Sequence, residues 1–163
     1  MTISIRRYPA IEHREERRDY PLSYQQERVL YLDQLAPGGA LWNLISAKRL
    51  TGRLNAEAMR GAVEELAGRH AALRTKIELA QPPLQSFGSF SPEQFRLVDL
   101  SQGDPDSREQ ALAEWFSREC REPIDIRGGD PLFQATLVQC GADEALLVLK
   151  LHHIVSDATT FQL

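Results

Sequence analysis

The chain of 163 residues is poor in cysteine, has no block of one charge sign and contains no long apolar run. Each absence excludes something. Cys120 and Cys140 are its only cysteines, too few for a disulfide framework, and a reduced, cytoplasmic protein is the simple reading. The net charge of −4 is spread without a basic patch, which argues against nucleic acid as a partner. No apolar run reaches the length of a membrane span. Met1 to Arg18 alternates basic and acidic residues where a secretory signal would need an apolar stretch. This segment reads as a solvated leader or linker. No internal repeat or low-complexity tract is visible.

What remains is ordinary globular composition, 42% hydrophobic and 26% charged, enough for one domain or one lobe of a larger one. Ser23 and Gln26 form a capping box for a helix carrying Val29, Leu32 and Leu35, stopped at Pro37. Leu44 to Leu50 reads as a strand. Asn55 caps a second helix with an apolar stripe of Met59, Val63 and Leu66. Leu73 to Leu79 reads as a strand broken by Gln81-Pro82-Pro83, and Phe95 to Leu100 as another. Asp104-Pro105 starts a helix that buries Ala111, Leu112, Trp115 and Phe116 and ends at Pro123. Leu132–Gln139 and Ala145–His152 form a hairpin around Gly141-Ala142-Asp143. Asp157 then begins another helix. Its first residues read as the start of an element, so the natural polypeptide is expected to continue past Leu163. This order predicts an α/β layered domain, helices packed on a mixed sheet.

The chemical segment is His152-His153-Ile154-Val155-Ser156-Asp157, at the end of the apolar strand Leu146–Leu151. Side chains alternate along a strand, so the two histidines point to opposite faces. His153 falls on the face of Leu147, Leu149 and Leu151, and His152 on the face of Lys150. One of them can reach a given cleft. An imidazole there is suited to general-base work. N–H groups of the helix after Asp157 would point to the same region, useful for an oxyanion. The competing readings are hydrogen-bonded core histidines, Asp157 as a plain helix cap, and a metal site using His153 and Asp157. The metal reading ranks low, because no further ligand cluster is obvious.

Two further motifs shift that balance. Ser23, Gln26, Arg28 and Leu32 match the pattern SxAQxR with its following apolar position. Gln25 stands at the alanine. Arg69, His70, Leu73, Arg74 and Thr75 match RHExLRTxF, with Ala71 and Ile77 as departures. His152, His153 and Asp157 match HHxxxDGxS, with Ala158 at the glycine and Thr160 at the serine. In this order the three patterns resemble the condensation domains of nonribosomal peptide synthetases, over nearly the whole chain but only part of the family domain.

The resemblance implies one lobe, the N-terminal one, of the chloramphenicol-acetyltransferase-like fold, occupying residues 19–163, with the C-terminal lobe absent. It implies amide formation between an acyl or peptidyl thioester and an aminoacyl amine. Both are carried on phosphopantetheine arms of carrier proteins, with no intrinsically bound cofactor and no metal. Donor and acceptor carrier domains and the missing lobe are the implied partners, with no nucleic acid and no membrane. In antibiotic or siderophore biosynthesis, such domains belong to secondary metabolism. His153 is the implied catalytic residue, with His152, Asp157 and Arg74 as support, and Asp157 paired to Arg74. Ala158 is implied to line the channel or the oxyanion region. Cyclisation domains replace the histidine pair by aspartates, which argues against that subtype here. The alternatives are a coenzyme A-dependent acyltransferase sharing HxxxD, and a non-catalytic lobe that docks carrier proteins.

Overall fold

Strand propensity and caps lay out most of the chain in a computed structural model that describes residues 19–157 and Thr160. The expected leader, Ala158 and most of the last expected helix lie outside these residues. Ser23 caps the helix α1 (Tyr24–Leu35), and its hydroxyl and backbone N–H exchange hydrogen bonds with Gln26, as the capping box predicted. Asn55 caps α2 (Ala56–Arg69), and Asp104 caps α3 (Pro105–Arg121) by accepting from the N–H groups of Asp106 and Ser107.

The strands form two sheets. The larger has four strands, β2 (Asn43–Thr51), β7 (Glu144–His152), β6 (Phe133–Gly141) and β5 (Phe95–Asp99), side by side in that order. β7 pairs antiparallel with both neighbours, and β5 runs parallel to β6, with α3 as the crossover. The expected hairpin is β6–β7. The smaller sheet joins β1 (Asp19–Pro21), β4 (Leu84–Phe87) and β3 (Thr75–Glu78). The layered mixed α/β class is as the sequence predicted.

Alternation along the strands decides which helix covers which face. Phe133, Ala135 and Leu151 pack with Val63 and Ala67 of α2. Val138 and Cys140, of the other parity, pack with Leu112 and Trp115 of α3. α2 and α3 therefore lie on opposite faces of the large sheet. A third cluster, Leu22, Leu30, Ile124, Ile126, Leu132 and Ile154, ties α1 to the chain leaving β7.

Three expectations need correction. The buried stripe of α2 is Val63 and Ala67, while Leu66 is exposed, because the helix presents the row one residue further on. Leu73 and Arg74 belong to a 3₁₀ turn (Ala71–Arg74), which delays β3 to Thr75. In α1 only Leu30 is buried, and Tyr24, Tyr31 and Leu35 face out. Among the described residues no helix is long and apolar enough to cross a membrane.

Candidate active site

β7 is the central strand of the hairpin-and-edge arrangement, flanked by β2 and β6 along its whole length. Its last residue, His152, still belongs to the sheet: its N–H donates to the carbonyl of Leu132 at 2.9 Å. The chain then turns. His153 donates its N–H to the carbonyl of Trp42 at 2.7 Å, and the two rings lie 6.1 Å apart, centre to centre. The two histidines part as strand alternation required: His152 is buried and His153 is exposed.

A hydrogen bond also orients the His153 ring. Its Nδ1 lies 2.6 Å from the carbonyl oxygen of Ser156. A carbonyl can only accept, so Nδ1 carries a proton, and in the neutral ring the lone pair is on Nε2. Ser156 is itself held, its hydroxyl donating to the carbonyl of His152 at 2.9 Å.

His152 is a different kind of histidine. Its Nδ1 accepts the N–H of Ile154 at 3.1 Å. Burial, and secondarily the neighbouring His153, push its pKa down from 6.5 to about 4. The 3.9 Å approach of its Nε2 to Oδ1 of Asp33 is therefore between a neutral imidazole and a carboxyl group, not an ion pair. Between pH 6.5 and about 4 the unfolded chain binds a proton at this site and the folded chain does not, so stability falls as pH falls, by about 3 kcal/mol in all. Asp33 works in the opposite sense at the lower end of that window. Its pKa is raised, chiefly by burial, so the folded chain takes up that proton first. Urea unfolding of wild type and His152→Gln across this range checks the sign. Equal pH dependence in both would mean that His152 is not held neutral.

Residues of all three motifs line one open cleft of about 770 Å³. Ser23 and Gln26 come from the start of α1, Ala71 and Thr75 from the turn into β3, and His153, Asp157 and Thr160 from the chain after β7. A residue the sequence did not single out, Gln85 of β4, completes this wall. Its side-chain amide exchanges hydrogen bonds with that of Gln26, at 2.8 and 3.1 Å, and also donates to the carbonyl of Pro21. The signal for Gln85 was weak, since β4 itself was not foreseen.

Arg74 and Asp157 have partners of their own. Arg74 donates to the carbonyls of Ala67, Gly68 and Gly88, which caps the end of α2 and ties β4 to it. These three carbonyls hold the guanidinium at the end of α2. Asp157 accepts at Oδ1 from both the N–H and the hydroxyl of Thr160, and its own N–H donates to that hydroxyl. This is the reciprocal pattern of a cap. Ala158 and its expected oxyanion role fall outside the described residues. Among the described residues no cluster of three or more His, Cys, Asp or Glu side chains is placed to hold a metal ion.

A further site was missed. Lys150, which shares the strand face of His152, is buried under α3, with Nζ 3.1 Å from Oε1 of Glu119. Arg96 of β5 reaches the same oxygen at 2.7 Å. A lysine inside the apolar run Leu146–Leu151 was the signal that a buried partner must exist.

The family model described as Condensation domain matches residues 16–163. The chain belongs to the condensation-domain family. As the three motifs implied, this is a family of nonribosomal peptide synthetases. The chain is 35% identical over 155 residues to one of the plipastatin synthase polypeptides of Bacillus subtilis (strain 168), covering 94% of this chain and 6% of that protein. It is 35% identical over 138 residues to one of the linear gramicidin synthase polypeptides of Brevibacillus parabrevis, covering 84% of this chain and 2% of that one. Among solved structures, the starter condensation domain of rhizomide synthetase RzmA superposes with a TM-score of 0.76 at 21% identity, over 88% of this chain and 34% of that one. The first condensation domain of the CDA synthetase gives 0.72 at 23% identity, over 88% and 36%. The fold is thus that of the chloramphenicol-acetyltransferase-like condensation domains, of which this chain spans about a third.

Proposed function

We propose that residues 19–163 are the N-terminal lobe of a condensation domain that forms amide bonds, with residues 1–18 as a leader. The substrates are a donor acyl or peptidyl thioester and an acceptor aminoacyl thioester, each on the phosphopantetheine arm of a carrier protein, in the cytoplasm. The acceptor amine attacks the donor carbonyl carbon, a C–N bond forms, and the C–S bond of the donor breaks to release a thiol. The amine must lose a proton as it becomes an amide. His153 accepts it at Nε2 and passes it on to the departing sulfur or to solvent.

The observation that carries this reading is the tautomer of His153. Ser156 holds the proton on Nδ1, which leaves a basic nitrogen on the one histidine of the motif that lines the cleft. A strong base is not required. An α-amino group has a pKa of about 7.7–8.0, so a fraction is already neutral at pH 7. Orientation of that amine is the larger demand.

The experiment is condensation between donor- and acceptor-loaded carrier proteins, followed by mass spectrometry. The intact two-lobed domain is expected to give product. Residues 1–163 alone are expected to give none above the uncatalysed rate. Positioning two thioester arms supplies much of the acceleration, and one lobe offers one wall of the passage. Product from 1–163 that is lost on His153→Ala would overturn the two-lobe requirement. No product from the intact domain with any loaded pair would overturn the amide-forming reading.

A further inference from the structure

The buried histidine has an unmet need. In its neutral form, an Nδ1 that accepts from Ile154 leaves the proton on Nε2. That N–H is buried, with the residue only 1% exposed, and it has no hydrogen-bond partner among the described residues. Buried N–H groups without a partner are rare and costly. The carboxyl group facing it is that of Asp33, near the end of α1, with Oδ1 at 3.9 Å and the side chain only 15% exposed. Asp125 and Arg127, from the loop before β6, are the other charges acting on that carboxyl.

We infer that Asp33 is a positioning residue for His153: its carboxyl oxygen accepts the Nε2–H of His152, and through that ring it fixes the turn that presents His153. The inference rests on the role proposed for His153. A shift of about 1 Å brings the pair to hydrogen-bond distance. The path from there is continuous. The ring of His152 takes the N–H of Ile154, and its backbone carbonyl takes the N–H of Val155 and the hydroxyl of Ser156. The carbonyl of Ser156 in turn sets the proton of His153. Without an acceptor at Asp33, the Nε2–H of His152 is left buried and unpaired, and the ring can reach a partner only by turning away from the N–H of Ile154. The turn would open, and Nδ1 of His153 would lose its carbonyl. The cleft wall itself would keep its residues, because Asp33 does not line it.

The test uses the intact domain. Asp33→Leu is expected to lower kcat by about 10²-fold with KM for both loaded carriers unchanged, and Asp33→Asn, which keeps an oxygen acceptor, to recover most of the loss. Nitrogen-15 spectra of histidine-labelled wild type should show His152 protonated at Nε2, with a slowly exchanging proton whose resonance moves in Asp33→Asn. His153 should be protonated at Nδ1, and should lose that preference in Asp33→Leu. If Asp33→Leu does not fold, the spectra of wild type and Asp33→Asn decide. Protonation of His152 at Nδ1, or an unmoved resonance, overturns the inference. Unchanged kcat in Asp33→Leu, alongside lost activity in His153→Ala, overturns the positioning role alone. Full activity in His153→Ala instead overturns the reading of the site.

Discussion

Replacing His153 by alanine in the intact domain is expected to slow amide formation by about 10²–10⁴-fold, the range over which a positioned acid–base group contributes. The unfolding midpoint should stay close to wild type. His153 is exposed, and its side-chain hydrogen bond is to a carbonyl that water can satisfy. The loss should fall on kcat, because the proton is accepted only as the C–N bond forms. His152→Ala should behave in the opposite way. That ring is fully buried at the sheet end, so its removal leaves a cavity and frees the N–H of Ile154. Activity then falls because the turn is disturbed, and stability falls with it. Single-turnover rates and urea midpoints for both variants separate the two cases. Full activity in both would remove the assignment of His153.

Glu119→Leu is expected to cost about 3–5 kcal/mol of stability, because it strands a buried ammonium. The side chains of Lys150 and Glu119 are only 3% and 5% exposed, so neither can turn to water without opening α3. Arg96 is different. Its side chain is 42% exposed and can rehydrate when Glu119 is lost. The effect of Lys150→Met should accordingly be much smaller, since Glu119 keeps Arg96 as its partner. The double variant Glu119→Leu/Lys150→Met replaces an ion pair by apolar volume and should lie closer to wild type than Glu119→Leu alone. Urea unfolding of the four proteins gives the coupling directly. Additive effects would mean that Lys150 and Glu119 do not depend on each other.

Elements with their own local signals were legible. Ser23, Asn55 and Asp104 are capping residues ahead of long helical patterns, and each caps a helix in the structure. The strand Ala145–His152 and its partner carried clear apolar runs and a glycine turn, and they form the β6–β7 hairpin. The smaller sheet was not legible. β1 is three residues containing a proline, and β4 is the four-residue stretch Leu84–Phe87 directly after two prolines. Strands so short carry no periodicity, and their pairing joins residues more than sixty positions apart in the chain, as in Tyr20 with Gln85. The site divides along the same line. Strand alternation separated the two histidines without saying which one is buried, and the motif pointed to His153 as the one in the cleft. Neither could show that Arg74 is consumed by carbonyls of α2, since those acceptors are backbone and carry no residue signature. Nor could they show that Asp33 and Glu119 meet β7, because those contacts are made by packing of whole helices.

The two sides of the cleft hang from sheets of unequal strength. His153 follows an inner strand of a sheet whose long strands run to nine residues, while Gln85 and Thr75 sit on strands of four. Local opening starts where ladders are short and contacts few. In the language of hydrogen exchange, the amides of β3 and β4 are expected to exchange before those around Leu151. On the role proposed for His153, the side of the cleft built on β3 and β4 is expected to yield first to a bulky acyl chain, with the imidazole keeping its place on the larger sheet.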